Sequence, residues 1–245
     1  MADEALQVDL LGIQCNAGPD ADGIEWTYRT ADDQSEMRLS TLLPTGRHGL
    51  SVGSNLRGGR RVNPTGLVMA PTQALAWEAR ERLAALGFGV EGDIVWHEAV
   101  PKFLTVTQAG PALLRQPAAG TFEYELDLIA AFPFRRALTG TTLPVGSGAP
   151  VELTNNGTVP AYPVIATTSS GAIDFTIDGR SFTTDSVPSG TVIDMWARTI
   201  TDGSGATLEP WPKHSAAEWL AIPRGSVDLV NSGAALSVSW HDTYA

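Results

Sequence analysis

The sequence predicts a mainly β protein of two domains. Three observations carry that reading. The 245 residues include 25 glycines and 16 prolines, a composition that favours many turns over long helices. Short runs alternate apolar and polar side chains, the period of a half-buried strand. Helical spacing is convincing in one place only, Thr72 to Leu86.

In the first half, Leu6, Val8 and Leu10 alternate and the phase slips at Leu11-Gly12, which fits a bulge or a turn into a second strand. After the turn cluster Gly18 to Gly23, the residues Ile24, Trp26 and Tyr28 line one side of a strand, and Thr30 to Glu36 read as loop. Residues 43 to 66 are glycine-rich and read as a hairpin or long loop. They contain no GxGxxG after a strand and no Gly-Lys-Ser/Thr, so a nucleotide cradle is not expected. Arg47, Arg57, Arg60 and Arg61 in this stretch stand out against a net charge of −11. Such a group is a candidate contact with an acidic neighbour, including another copy of the chain.

Thr72 is placed to cap the helix, Leu75, Ala79, Leu83 and Leu86 form its apolar stripe, Glu78 and Arg82 pair on its outer side, and Gly87 ends it. The helix is expected to pack across one face of the N-terminal sheet. Strands resume at Asp93 to Glu98 and Phe103 to Thr107, with Gln116 to Gly120 read as loop. The clearest alternation follows: Phe122, Tyr124, Leu126 and Leu128 point inward and Glu123, Glu125 and Asp127 outward. Three carboxylates on one strand face suit a solvated or subunit-contacting surface better than a glycosidase pair, because no complementary motif accompanies them.

A connecting segment, Thr139 to Pro150, separates domains of residues 1–140 and 141–245. The second opens on Val151 to Thr168, read as a hairpin of two short strands around Asn155-Asn156-Gly157, residues that tolerate positive φ. Pro160 and Pro163 place the entry of its second strand at an edge or outside a central ladder. Ile173, Phe175 and Ile177 lead into Asp178-Gly179, a strong hairpin signal. Strands at Thr191 to Trp196, Glu218 to Ile222, Val227 to Val230 and Ala235 to Trp240, with no helix between them, indicate a β-sandwich of jelly-roll type.

Little in the chain points to catalysis or to ligands. His48, His97, His214 and His241 form no metal-binding motif, no GxSxG elbow is present, and the single cysteine, Cys15, lacks a local catalytic signature and excludes an intrachain disulfide. No cofactor or metal is expected. The net charge argues against a duplex nucleic-acid binder. The N-terminus has no basic segment before an apolar run, and 18 consecutive apolar residues occur nowhere, so no secretory or membrane route is expected. Trp196, Trp219 and Trp240 fall in strands and are read as core. Trp211, between Pro210 and Pro212, is the aromatic expected to be exposed.

One succession of signals resembles a known family. Leu153-Thr-Asn-Asn-Gly-Thr-Val-Pro-Ala-Tyr-Pro-Val-Ile, Ile177-Asp-Gly, Gly190-Thr-Val-Ile-Asp-Met, Arg198-Thr-Ile-Thr-Asp-Gly, Trp219-Leu, Pro223-Arg-Gly and Trp240-His-Asp-Thr-Tyr resemble the second half of the distal tail (Dit) proteins of siphophages. Arg47-His-Gly, Gly58-Gly-Arg-Arg-Val, the helix, Phe122-Glu-Tyr-Glu-Leu and Phe132-Pro-Phe-Arg resemble the first half, especially in phages of actinobacteria. Ala131-Phe132-Pro133 stands where the family more usually has Ala-x-Asp-Pro. The resemblance implies a non-enzymatic virion protein of the tail tip, made in the host cytoplasm. Six copies would form a ring between the last ring of the major tail protein and the tail-associated hub protein of the baseplate, with DNA only passing through the lumen. It also implies a tail-tube-like N-terminal sheet that makes the ring and a galectin-like C-terminal sandwich that projects from it. The arginines at 47, 57, 60 and 61 and the carboxylates at 123, 125 and 127 would then meet across subunits. A carbohydrate-binding tail protein that contacts the host surface through exposed aromatics is the competing reading.

Overall fold

The computed structural model describes residues 6–32, 59–86, 91–208 and 219–245. For 30–32 and the pairs 37–38, 41–42, 51–52 and 56–57 it describes the backbone alone. The chain divides into two compact units, Met1–Arg135 and Arg136–Ala245. Both are built almost wholly of strands.

The first unit is organised on the strand Arg60–Met69. On one edge it pairs with Thr121–Glu125 and Leu128–Ala130, and on the other with Glu25–Trp26 and Arg29–Asp32. From Leu128–Ala130 the sheet continues through Lys102–Gln108, Gly92–Trp96 and Val8–Leu10 to Ile13–Cys15. It then curls back on itself. The Asn16 N–H donates to the Trp26 carbonyl at 2.8 Å, and the Asn16 side chain donates to the Leu6 carbonyl and accepts from the Tyr28 N–H. The core enclosed by this curl includes Trp26, Val62, Val68, Trp96, Leu104, Leu126 and Leu128.

The expected phase slip is a tight turn between Val8–Leu10 and Ile13–Cys15, with Leu11 at φ 52° and Gly12 at φ 87°. Arg60–Met69 is a longer strand than expected, since most of it lies in the stretch read as a hairpin or long loop. Its glycine and proline are both accommodated by contacts made in the folded chain. Pro64 gives up no donor that the sheet requires, and its carbonyl accepts the Leu126 N–H at 2.9 Å. Gly66 leaves room for the ring of Tyr124, whose hydroxyl donates to the Thr27 carbonyl at 2.7 Å.

The helix is Gln73–Ala85, and Thr72 Oγ1 accepts the Leu75 N–H as its cap. Ala76, Ala79 and Leu83 are its buried face, whereas Leu75 and Leu86 are only half-buried. Two alanines in that face let the helix lie close to the sheet. Trp77 meets Phe122 edge-on with ring centres 5.8 Å apart. Arg82, expected to pair with Glu78, is 3.6 Å from Asp20 and lies over the ring of Trp26. Asp20 in turn accepts from the Asp22 and Ile24 N–H groups and from Trp26 Nε1, so one carboxylate fixes the turn and ties the helix to it. Gly87 lies outside the described residues.

The second unit is a sandwich of two antiparallel sheets. One runs Thr141–Val145, Leu236–Trp240, Val164–Thr167, Val192–Asp194, Thr199–Thr201, and the other Val151–Asn155, Gly225–Asn231, Gly171–Ile177, Arg180–Val187. Leu153, Ile165, Phe175, Phe182, Ile193 and Val238 are among the side chains packed between them. The Asp178-Gly179 hairpin is present, with both residues at positive φ (52° and 71°) as a type I′ turn requires.

Several expectations for this unit are corrected. Val151–Asn155 and Val164–Thr167 are not a hairpin: the first pairs with Gly225–Asn231 and the second lies in the other sheet, between Leu236–Trp240 and Val192–Asp194. The intervening chain crosses between sheets. Pro160 and Pro163 fall in that crossing, outside any ladder. Gly157 does not have positive φ. A Cβ there would sit 2.0 Å from the Thr243 carbonyl oxygen, so glycine is required by close approach rather than by a turn. Thr141–Val145, read as connector, is a strand. Trp196 lies in the turn after Val192–Asp194, edge-on to Tyr162, and Trp219 lies outside the strands against Phe182.

Candidate functional site

Strand register determines what shares a face. On the outer side of the first unit, Leu113 stands opposite Glu125, Glu125 opposite Thr65, and Thr65 opposite Arg29. In the next row, Arg115 stands opposite Glu123 and Glu123 opposite Leu67. Ile129 is opposite Arg61. The first two rows surround a groove of about 310 Å³ lined by Arg29, Leu67, Leu113, Arg115, Glu123 and Glu125, among others. The carboxylates of the alternating strand are therefore interleaved with cations from neighbouring strands. Arg61 Nε lies 3.0 Å from Asp127 Oδ1 within the same chain. With Arg61 63 % and Asp127 31 % exposed at the side chain, that pair contributes at most about 1 kcal/mol to stability.

Arg60 is turned to the opposite side and is buried near Tyr28. Burial pulls its guanidinium pKa below the ordinary value, and the nearby Tyr28 opposes that shift. The Tyr28 hydroxyl is itself pushed up to about 12, first by burial. Arg57 belongs to the strand Leu56–Arg57, but its side chain, like the whole of Arg47, His48, Trp211 and His214, lies outside the described residues. Of the seven charged residues singled out in the sequence, the structure brings Arg61, Glu123, Glu125 and Asp127 to one face. Arg29 and Arg115, which share that face, went unnoticed because only the register places them beside the carboxylates.

The face also carries exposed apolar side chains. Leu113, Ile129 and Met69 are 54 %, 43 % and 39 % exposed. Apolar residues set among charges of both signs are the composition of a protein contact surface. Among the described residues Leu113–Ala118 is an edge strand, with no further strand on its outer side.

A catalytic or metal reading finds little here. Among the described residues no group of three His, Cys, Asp or Glu side chains could hold a metal ion. Cys15 is buried, its thiol is pushed up to about 11 chiefly by burial, and it donates to the Ile13 carbonyl at 3.6 Å. In the folded protein it is expected to react with a thiol reagent at pH 8 roughly a hundredfold more slowly than in denaturant, because the thiolate is scarce and shielded. Equal rates by absorbance would show that the site opens readily.

Among the described residues the outward rows of the two sheets of the second unit carry no aromatic side chains, and Tyr162 and Trp219 line a groove outside the strands. One row of the five-stranded sheet reads Thr142, Ser239, Val164, Asp194, Thr199 across the strands. On the other sheet Glu152 faces Asp228 and Thr154 faces Ser226. Trp240 is buried, with Nε1 donating to the Thr154 carbonyl.

The Dit protein of phage SPP1, described as a paradigm of the hub adsorption apparatus in phages infecting Gram-positive bacteria, superposes with a TM-score of 0.64 at 13 % identity over 98 % of this chain and 99 % of that one. The chain has the fold of a distal tail protein. A chain of the phage p2 baseplate in its activated conformation with Sr matches at a TM-score of 0.50 and 8 % identity, covering 96 % and 97 % of the two chains. No protein-family model and no curated protein matches the sequence. The likeness of fold therefore holds at 13 % identity.

Proposed function

We propose that the chain is a structural protein of a phage tail tip, in which copies of its first unit close into a ring. The observation that carries this reading is the correspondence with the SPP1 Dit protein from end to end, through both units. The outer face of Leu113, Ile129, Met69 and the alternating charges supplies a surface suited to subunit contact. Six copies would close the ring. The tail-tube protein would lie above it and the hub of the baseplate below, with the genome passing through the lumen. A net charge of −11 suits a conduit for DNA where the acidity faces the channel. The second unit is a separate sandwich, and the role is mechanical rather than catalytic.

Mass measurement in solution combined with negative-stain imaging tests the proposal. Hollow particles with the mass of six chains are the expected result. A protein that stays monomeric at every concentration and binds glycans through residues 141–245 would replace it with the carbohydrate-binding reading.

A further inference from the structure

Asn156-Gly157 is the one Asn-Gly dipeptide in the chain. An asparagine amide is lost most readily in this context, because glycine has no side chain to shield its backbone nitrogen. In that reaction the Gly157 nitrogen gives its proton to solvent base and attacks Asn156 Cγ. A bond forms between the two, the Cγ–Nδ2 bond breaks, and the departing nitrogen takes a proton from water to leave as ammonia. Water then opens the five-membered imide at either carbonyl, giving aspartate or isoaspartate. One water is consumed and one ammonia released.

The fold restrains both reacting groups. The nucleophile's N–H donates to Asn155 Oδ1 at 3.0 Å, and Asn155 and Gly157 are both buried. Removing that proton would leave a buried oxygen short of a donor and place charge where water is excluded. The leaving group, Asn156 Nδ2, donates to Asp242 Oδ2 at 3.1 Å, and the Asn156 N–H donates to Asp242 Oδ1 at 3.0 Å. One carboxylate thus holds the side chain and the backbone of the same residue. Ring closure needs the attacking and receiving atoms aligned, and turning the amide toward Gly157 breaks the first of those bonds. Asn156 itself is exposed, so water and base are close at hand.

The products do not fit either. A Cβ on Gly157 would already lie 2.0 Å from the Thr243 carbonyl oxygen and 2.5 Å from its nitrogen. Isoaspartate lengthens the backbone before Gly157 by one carbon and drives the glycine against that strand. The Thr243 carbonyl accepts the Thr158 N–H at 2.8 Å and the Val159 N–H at 3.2 Å, and the Ala245 N–H donates to Thr158 Oγ1 at 2.9 Å. The segment after Gly157 therefore holds the end of the described chain. Aspartate at 156 would set a carboxylate where a donor now faces Asp242, and like charges in contact repel. We propose that Asn156 is a latent deamidation site, kept unreactive by its neighbours Asn155 and Asp242, and that its conversion loosens the strand Thr243–Tyr244. The inference concerns a single chain and holds whether or not copies assemble.

Peptide mapping by mass spectrometry, after incubation of the full chain in mildly alkaline buffer, tests it. In denaturant Asn156 should convert faster than the other five asparagines. In the folded protein its conversion should be at least about a hundredfold slower, because it waits on local opening. Asp242→Ala gives up only exposed side-chain contacts with Asn156, should fold like the wild type by tryptophan fluorescence, and should convert at least about tenfold faster than the wild type. Equal rates in folded and unfolded wild type, or a folded Asp242→Ala that converts no faster, would overturn the restraint. Asn156→Asp stands for the aspartate product. Its urea midpoint should fall below that of Asn156→Ala, and adding Asp242→Asn, which returns a donor opposite the new carboxylate, should restore it. Carboxypeptidase should also release Ala245 and Tyr244 faster from chains converted at 156. A wild-type midpoint for Asn156→Asp, together with unchanged release, would overturn the loosening of the strand.

Discussion

Replacing Asn155 with alanine is expected to destabilise the second unit by about 3 kcal/mol or more, the loss for leaving several buried backbone groups without partners. The side chain is fully buried. Its Nδ2 donates to the Val159 carbonyl at 2.9 Å and the Ile222 carbonyl at 3.3 Å, and its Oδ1 accepts the Gly157 N–H at 3.0 Å and the Thr243 N–H at 3.4 Å. Three separate segments meet on one amide: the crossing between the sheets, the stretch around Ile222 and the C-terminal strand. Water cannot replace it without opening the sandwich. Ile222 keeps a second donor from the Ala161 N–H, so the expected cost comes mainly from Val159, Gly157 and Thr243. Asn156→Ala is the matched control. It removes one bond, from Asn156 Nδ2 to Asp242 Oδ2 at 3.1 Å, on an exposed side of the same turn, keeps the 3.0 Å bond from the Asn156 backbone N–H to the same carboxylate, and should cost less than about 1 kcal/mol. Urea unfolding followed by tryptophan fluorescence compares the two, and equal midpoints for Asn155→Ala and wild type would sink the argument.

That amide also shows what sequence can and cannot convey. Asn155-Asn156-Gly157 has the composition of a turn, and a local reading makes it one. Its actual role depends on Ile222 and Thr243, which are far along the chain. Where a signal is local, sequence and structure agree. Phe122 to Leu128 alternates inward and outward, Thr72 caps the helix, and Asp178-Gly179 turns a hairpin. Each depends on neighbours within a few residues. Pairing over long separations leaves no such trace: Val151 is opposite Leu229 and Val164 opposite Ser239, so the two strands of the supposed hairpin belong to different sheets.

The candidate face was partly legible for the same reason. Its three carboxylates announce themselves by alternation on one strand. The arginines that offset them come from Arg29–Asp32, Arg60–Met69 and Leu113–Ala118, and only cross-strand register puts them alongside. Arg61 and Asp127, expected to meet across subunits, already meet within one chain. Arg60, one residue away, points into the core, because adjacent residues on a strand face opposite sides.

Gly66 joins fold and proposed function most directly. Gly66→Ala is expected to destabilise the first unit by about 2–4 kcal/mol, combining overpacking with loss of a buried hydrogen bond. The added Cβ would lie 2.0 Å from the Thr27 carbonyl oxygen and 2.6 Å from the Tyr124 ring, and the first of these is backbone that cannot swing aside. Relief requires moving Tyr124, which ends its 2.7 Å bond to that same carbonyl, or displacing the Thr27 segment from Arg60–Met69. The second route also breaks the bond from the Thr27 N–H to the Leu67 carbonyl at 2.9 Å. Arg60–Met69 holds the floor of the outer groove, so a shift there reaches the surface proposed for ring contact. Calorimetry should show the transition of the first unit lowered and that of the second unchanged, with assembly lost at concentrations where the wild type forms rings. Tyr124→Phe separates the two causes, since it removes the hydroxyl and leaves the space, and should cost about 1–2 kcal/mol. If Gly66→Ala melts and assembles like the wild type, the close approach at Gly66 is not what holds this strand in place.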